Sequence, residues 1–172
     1  MTTNGLSEEI DTISAQELRH ALGHLPTGVT VVTTVGTEGE PVGTTVSAVC
    51  SVSARPALLL VCLDRDSATL AAVRARGAFS VNVLAAGQHP VSTNFARPGA
   101  GASWHGIEHR RAGSGMPRLV GTVAAFECAV YATYDGGDHE ILVGRIVQAD
   151  VEPAGELPLL HWRGRYQRIG EP

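Results

Sequence analysis

The sequence predicts a mainly β protein, an antiparallel barrel with a few short helices. Runs of β-branched residues follow one another along the chain, and glycine-rich turn clusters separate them. Few helical segments stand between these runs, and no G-x-G-x-x-G fingerprint follows the first of them. Because strands that follow strands usually pair as antiparallel neighbours, we expect a barrel rather than a doubly wound parallel sheet.

The first segments of the chain predict an arm, a helix and two strands. Residues 1–13 are polar and acidic and are predicted to be a flexible arm, with one domain over residues 14–172. A capping box at Ser14 and Glu17 predicts a helix that ends at Pro26. Strands are then expected at residues 29–35 and from Val42 to about Val49.

The middle of the chain predicts a buried strand, a capped helix and a long loop. After a loop over 51–56, the continuous apolar run at 57–63 predicts a strand buried on both faces. Asp66 or Ser67 is expected to cap a short helix that Gly77 ends. A strand at 79–84 and a helical turn at 88–95 are predicted next. Residues 97–118 lack periodicity, so we expect a functional loop or a lid there.

The last third predicts more strands, at residues 119–133, 139–151 and 159–166, for a total of about six or seven. The turn before residue 139 reads Asp-Gly-Gly-Asp-His. Its glycines serve the turn, but the turn does not require His139. From the residues alone, His139 is either a partly buried structural histidine or a ligand contact.

Composition excludes several classes of function. Of the 172 residues, 44% are hydrophobic and 17% are charged, which is typical of a globular domain. The net charge of −4 without a basic block argues against nucleic-acid binding. No apolar stretch approaches the about 20 residues of a membrane span. The three cysteines are dispersed in apolar runs, which predicts reduced thiols in a cytoplasmic protein, and the seven histidines predict no metal site.

Several segments can hold a nucleotide-like ligand, and each also has a purely structural interpretation. The start of the helix near Ser67 can bind an anion with help from Arg65 and Thr69, or Ser67 is an ordinary cap. The small hydroxyl residues at 43–53 can approach a flat polar ring, or they only favour a strand. Aromatic and arginine residues at 94–97 and 158–166 can stack on a nucleotide, or they anchor a terminal strand.

Taken in order, these segments resemble the short-chain flavin reductases with an FMN-binding split-barrel fold. More narrowly, they resemble the NADH-dependent reductase components of two-component flavin monooxygenases. The resemblance extends from about residue 16 to residue 166 and depends on these segments: LPTGVTVVTT at 25–34, PVGTTVS at 41–47, FSVNVL at 79–84, NFA at 94–96, GDH at 137–139 and PLLHWRGRY at 158–166.

The resemblance implies an antiparallel Greek-key split β-barrel that forms a homodimer, with FMN or FAD in a groove at the dimer interface. It implies that hydride passes from NADH to the flavin, with NADPH left open, and that reduced flavin diffuses to a partner monooxygenase. His139 is the implied catalytic residue, beside the nicotinamide. The implied cofactor-binding residues are Thr27, Gly28, Thr44, Thr45, Val46, Ser47, Ala48, Ser51, Val52, Ser53, Arg65, Ser67, Thr69, Phe95, Ala96, Arg97, Asp138, His139, Arg163 and Tyr166.

Within that set the resemblance gives each segment a role. Residues 44–48 line the flavin ring, residues 51–53 border the ring and ribityl chain, and residues 95–97 touch the ribityl tail or an adenine. Arg65, Ser67 and Thr69 hold the phosphate. Thr27 and Gly28 close one side, while Arg163 and Tyr166 contact the second nucleotide.

Two departures from the family pattern bear on this assignment. Ala48, Val49 and Cys50 stand where relatives often have a Ser-Phe pair, which leaves the choice between FMN and FAD open. The segment Ser-Trp-His-Gly at 103–106 replaces a more usual Phe-Gly type element in the long loop, and its Trp104 is expected to fill the core rather than to act as a lid over the nicotinamide. The alternatives are a flavin-binding barrel without turnover, a haem-binding or pyridoxine-phosphate-oxidising split barrel, and a structural dimer without a ligand.

Overall fold

The structure, a computed structural model, describes residues 13–97, 102–152 and 156–169. Its helices are α1 (Ala15–Leu22), α2 (Ala68–Arg76) and α3 (His89–Phe95), the last preceded by a 3-10 turn at Ala86–Gln88. Its strands are β1 (Thr27–Gly28), β2 (Thr30–Val35), β3 (Pro41–Val46), β4 (Val49–Ala54), β5 (Ala57–Asp64), β6 (Ala78–Val83), β7 (His109–Arg111), β8 (Pro117–Leu119), β9 (Ala124–Gly136), β10 (His139–Val151), β11 (Leu159–Trp162) and β12 (Arg165–Arg168). The prediction of a mainly β protein is confirmed.

A seven-stranded antiparallel sheet forms the body of the protein, in the order β3-β2-β6-β9-β10-β5-β4. Strands β3 and β4 occupy opposite edges, although only Ser47 and Ala48 separate them in the chain. Because consecutive Cα atoms lie about 3.8 Å apart, the sheet must curl until its two edges come close together. Among the described residues β3 and β4 do not pair, so the curled sheet stays open along this seam.

The core has two parts, one on each side of β2. Val32 packs into a cluster with Leu63, Phe79 and Leu142, whereas Val31 packs into a second cluster with Phe95 and other buried side chains. Successive side chains of a strand point to opposite faces, and a core cluster covers each face of β2. All six residues of β2 are therefore buried. Strand β2 therefore joins the two parts of the core.

Two smaller sheets complete the fold. Strands β7 and β8 pair with each other, and β1 pairs with β11, which in turn pairs with β12. In β1, Thr27 lies opposite His161. In the part of the chain that the structure describes, no helix has the length and hydropathy that a membrane crossing needs.

The predicted helices are confirmed where local chemistry determines them. Ser14 and Glu17 form the capping box of α1. Ser67 caps α2, and Gly77 ends that helix with a φ of 71°. Helix α1 ends earlier than predicted, at Leu22, because residues 23–25 turn before Pro26 is reached.

The sequence prediction was wrong for several strands. Residues 51–56 were expected to be a loop, but β4 extends through Ala54 because it pairs with β5. The loop predicted at 97–118 contains β7 and the start of β8. The strand predicted at 159–166 is two strands, separated by a tight turn in which Arg163 has a φ of 51°. Residues 1–12 of the predicted arm, together with 98–101 and 170–172, lie outside the described residues.

Candidate active site

Two adjoining clefts open between β3 and β5. The larger has a volume of about 620 Å³ and the smaller about 180 Å³. They share Thr44, Asp64 and Ser67, so they form one groove. The larger is lined by Pro41, Val42, Gly43, Thr44, Asp64, Asp66, Ser67, Ala68, Thr69, Phe95, Ala96, Arg97, Ala102 and Trp104. The smaller is lined by Thr44, Thr45, Val46, Ser47, Ala48, Cys62, Leu63, Asp64, Ser67 and His139.

One wall of the groove is residues 43–48, which we call the strand wall. In the described structure β3 pairs with β2 alone, so the main-chain N–H and C=O groups on its other edge stand outside the sheet's hydrogen-bond ladder. The hydroxyl of Thr45 donates to the carbonyl of Ser92 at 2.7 Å, and that of Thr44 lies 3.5 Å from the carbonyl of Phe95. These threonine hydroxyls therefore attach β3 to α3, which leaves main-chain groups to meet a ligand.

The absence of a side chain at Gly43 shapes this wall. A Cβ atom built there would lie 3.1 Å from Phe95 Cε1 and 3.1 Å from the carbonyl oxygen of Val32. Such approaches are tighter than a methyl group accepts without a shift of its neighbours. The glycine therefore allows Phe95 to lie close against β3, where its ring lines the larger cleft.

The start of α2 forms the floor where the two clefts meet. The hydroxyl of Ser67 accepts from the N–H of Thr69 at 3.2 Å, and the carboxylate of Asp64 accepts from the N–H of Asp66 at 2.8 Å. The start of a helix carries a partial positive charge and unpaired N–H groups, which suit an anion. The carboxylates of Asp64 and Asp66 repel an anion but accept hydrogen bonds from hydroxyl groups.

Aromatic rings and one arginine form the far end of the larger cleft. Trp104 packs edge-on against Phe95, with ring centroids 4.9 Å apart, and against His109 at 4.8 Å. It also packs against the second core cluster, as the prediction of a core-filling residue expects, while one part of it lines the cleft. Among the described lining residues Arg97 is the only arginine or lysine, so it is the one that brings a positive side chain to the groove.

His139 stands at the other end of the groove, at the first residue of β10. It lies opposite Asp64 of β5 and is half-buried, with its side chain in the lining of the smaller cleft. Its Nδ1 lies 2.7 Å from Oδ1 of Asp138. This hydrogen bond lowers the pKa of the Asp138 carboxyl below its ordinary value. Because an ionised carboxylate only accepts, Nδ1 is the donor, and Nε2 is the ring nitrogen left for a ligand.

Arg65 follows β5, contacts the turn that carries His139, and is not among the described residues that line the groove. Its Nε donates to the carbonyl of Gly137 at 2.7 Å. The sequence had grouped it with Ser67 and Thr69 as a phosphate contact. The structure brings Ser67 and Thr69 to the groove and leaves the Arg65 guanidinium on the turn.

Other predicted residues also lie apart from the groove in the single chain. Ser51, Val52 and Ser53 are on β4, and Thr27 and Gly28 are on β1. The guanidinium of Arg163 lies over the ring of Trp162. Tyr166 donates to the hydroxyl of Ser92 at 2.9 Å and lines a separate open cavity of about 260 Å³.

The sequence prediction missed several lining residues. Asp64 and Asp66 flank the predicted phosphate contact, and Cys62 and Leu63 precede them on β5. Burial, and then the nearby Cys50, raise the pKa of the Cys62 thiol, so Cys62 presents a small neutral surface. The position of Asp64 could have predicted its role. It ends a buried strand that leads into a capped helix, and the loops at such points often carry binding groups.

The comparisons with known proteins identify a family for this chain. The family described as "Flavin reductase like domain" matches residues 22–170. Flavin reductase (NADH) of Kitasatospora aureofaciens is 46% identical over 148 residues, which cover 86% of this chain and 78% of that protein. The reductase component of 4-nitrophenol 4-monooxygenase/4-nitrocatechol 2-monooxygenase from Rhodococcus opacus is 37% identical over 151 residues, or 87% of this chain and 78% of that protein.

A solved structure shows the same fold. NADH:FAD oxidoreductase SgcE6 of Streptomyces globisporus, in complex with NAD and FAD fragments, superposes with a TM-score of 0.86. The two are 36% identical, and the match covers 95% of this chain and 98% of that one. The resemblance inferred from the sequence is confirmed: the chain belongs to the flavin reductase family.

Proposed function

We propose that this protein is an NADH-dependent flavin reductase that reduces FMN or FAD and supplies the reduced flavin to a partner monooxygenase. The observation that carries the proposal is the single groove that joins the strand wall, the start of α2 and His139. One end of it suits a flat ring and a phosphate, and the other presents a histidine nitrogen where a second ring can lie.

The groove fits a flavin in size and in chemistry. The isoalloxazine ring carries donors and acceptors along one edge, and the unpaired main-chain edge of β3 offers complementary groups. The phosphate fits at the start of α2 near Ser67 and Thr69, with Arg97 as the nearby cation. The ribityl hydroxyls fit the carboxylates of Asp64 and Asp66, which otherwise oppose the phosphate.

The nicotinamide fits on the His139 side. Nδ1 of His139 donates to Asp138, so Nε2 is the ring nitrogen that can meet a ligand, and in the neutral ring it is an acceptor. The nicotinamide carboxamide has an N–H₂ group that matches this acceptor. His139 therefore orients the ring through a hydrogen bond and does not need to transfer a proton.

The chemistry itself belongs to the two bound molecules, since a flavin accepts hydride from a reduced nicotinamide without help from an acid or base. The protein holds the two rings in register and keeps water from between them. Main-chain contacts hold the ring moderately, because they lack charge-assisted hydrogen bonds. That suits a flavin that must leave after reduction.

We further propose that the curled sheet is a Greek-key split barrel and that two copies form a homodimer. Apolar side chains exposed in the single chain support the dimer. On α1 these include Leu22, which is 53% exposed, and on the β9–β10 hairpin they include Tyr134, at 59%, and Val147, at 58%. A contiguous exposed apolar patch marks an interaction site, and we propose that these side chains contribute to one across the dimer interface. A second copy can also bring Thr27, Gly28, residues 51–53, Arg163 or Tyr166 to the groove of its neighbour.

We place the protein in the cytoplasm, where NADH is available and the thiols of Cys50, Cys62 and Cys128 stay reduced. We propose that the partner is a flavin-dependent monooxygenase that takes up free reduced flavin. The match to a reductase component from Rhodococcus opacus supports this kind of partner. The organic substrate binds to the partner and not to this chain.

The proposal is tested by steady-state oxidation of NADH and NADPH with FMN, FAD and riboflavin in turn. We expect turnover with NADH and at least one phosphorylated flavin. Flavin binding without oxidation of either nicotinamide would favour a non-catalytic flavin-binding barrel. Colourless protein that binds no flavin would contradict the proposal, and gel filtration of the same sample tests the dimer.

A further inference from the structure

The turn between β9 and β10, residues 135–140, carries His139, and we call it the histidine turn. Its two central glycines allow tight reversal of the chain, and Gly137 has a φ of 77°, which an L side chain rarely adopts. Glycine pairs also leave the chain many conformations. A fixed position for His139 therefore requires contacts from outside the turn.

Arg65 supplies such contacts to four residues of the histidine turn. Its Nε donates to the carbonyl of Gly137 at 2.7 Å, and its main-chain N–H donates to the carbonyl of Asp138 at 3.0 Å. One guanidinium nitrogen lies 3.2 Å from Oδ2 of Asp135, and the other lies 4.0 Å from Oε2 of Glu140. A single side chain thus contacts the turn on both sides of His139.

The acids of the turn are arranged to receive this guanidinium. Asp135 also accepts from the N–H of Gly137 at 2.8 Å, and that bond, followed by the charge of Arg65, lowers the pKa of its carboxyl. The buried carboxyl of Glu140 has a lowered pKa, first because of Arg74 and then because of Arg65. Both carboxylates therefore stay ionised opposite Arg65 at neutral pH.

Arg65 also links the two ends of the groove. It directly follows Asp64, which lies opposite His139 and lines both clefts, and it precedes Ser67, the cap of α2, by two positions. The segment that would hold the flavin phosphate and the turn that carries His139 are therefore joined through one residue. A shift of the guanidinium would change the position of His139 relative to the flavin site.

We propose that Arg65 is a positioning residue for NADH, which acts by holding the histidine turn rather than by binding the flavin phosphate. The inference rests on the proposed function, since it requires that His139 meets the nicotinamide. Arg65 is not among the described residues that line the groove, so on this proposal it touches neither ring. Its effect should therefore pass through His139 and should appear in the use of NADH, not in the use of flavin.

The test compares Arg65→Gln with the wild-type protein, using FMN and riboflavin as electron acceptors. We expect KM for NADH and the dissociation constant for NAD⁺ to rise about 5- to 20-fold, as expected when a charge-assisted contact in a network is lost. KM for FMN and for riboflavin should stay within about twofold of the wild-type values. Arg65→Lys keeps the charge but not the forked geometry, so it should restore only part of the NADH affinity.

Arg74→Gln is the matched control. Arg74 also bonds Glu140, through its Nε at 3.3 Å and a second, shorter contact, but it does not reach the Gly137 carbonyl. We expect its KM for NADH to change less than about twofold. Thermal melting of each variant separates loss of folding from loss of nicotinamide binding.

A double-mutant cycle shows whether Arg65 acts through His139. The double variant Arg65→Gln/His139→Ala should bind NADH as tightly as His139→Ala alone. Once the imidazole is gone, loss of the residue that positions it has no further effect. Additive losses would overturn the positioning role. So would a raised KM for FMN with that for riboflavin unchanged, which would assign Arg65 to the phosphate. If His139→Ala itself leaves NADH affinity unchanged, the proposed function of the turn fails instead.

Discussion

The strand wall and the histidine turn form opposite ends of one groove, but they are built in different ways. Residues 43–48 are consecutive, and they meet the groove through the main-chain edge of β3. The histidine turn is held by Arg65, which is distant from it in sequence, through hydrogen-bonding and ionic contacts. A wall made of main chain tolerates many side chains, whereas a turn held by one arginine depends on that residue.

Because the two ends of the groove are built differently, single substitutions should change the use of NADH and the use of flavin independently. His139→Ala should raise KM for NADH at least about tenfold, because the imidazole acceptor is removed from the smaller cleft. The dissociation constant for FMN should change less than about twofold, since the strand wall stays intact. Steady-state kinetics and quenching of FMN fluorescence measure the two effects, and an unchanged KM for NADH would remove His139 from the site.

The contrast also explains what the sequence could predict. Ser67, Thr69, Phe95 and Arg97 lie in the groove as the sequence implied, because short local motifs such as a helix cap and a terminal aromatic place them. Arg65 lies in the same local motif, but a turn 70 or more residues away along the chain binds its guanidinium. Local sequence patterns therefore predict the position of a residue's main chain. The direction of a long charged side chain depends on residues that are distant in sequence.

The fold also depends on contacts between residues that are distant in sequence. Residues 51–56 are predicted as a loop because small polar residues such as Ser51 and Ser53 are weak signals, and only pairing with β5 makes β4 a strand. The seam forms because β3 and β4, which are adjacent in the chain, lie at opposite edges of the sheet. That arrangement is a property of the strand order, which no single stretch of sequence contains.

A substitution that adds volume should damage the strand wall, whereas one that removes a methyl group and keeps the hydroxyl should not. In Gly43→Ala the new Cβ atom would press on the Phe95 ring and on the carbonyl of Val32. We expect KM for FMN to rise about three- to tenfold and the free energy of unfolding to fall by about 1 kcal/mol, with KM for NADH little affected. Thr45→Ser, which keeps the hydroxyl bonded to Ser92, is the control, and equal effects from both variants would contradict the distinction.

Arg97 gives a smaller and more selective effect at the flavin end. Because it is the only arginine or lysine among the described lining residues, Arg97→Gln should weaken binding of FMN about threefold and leave riboflavin, which has no phosphate, unchanged. Arg55→Gln, at an exposed turn between β4 and β5, is the control. Equal losses for FMN and riboflavin would mean that Arg97 supports the fold of the cleft and not the phosphate.

The smallest effect should come from the charge that orients His139. In Asp138→Asn the amide oxygen still accepts from Nδ1, but without a charge the bond is weaker, so KM for NADH should rise about two- to threefold at neutral pH. The pKa of Asp138 is lowered in the folded protein, so its stabilising charge is present above the unfolded pKa and is lost only as the pH falls through the folded pKa. The wild type should therefore bind NAD⁺ more tightly than the variant at both pH 7 and pH 8, which lie far above about pH 4, the ordinary value for an aspartate. Calorimetric titration at the two pH values measures the ratio of the affinities, and equal affinities of wild type and variant would show that the Asp138 charge does not act on His139.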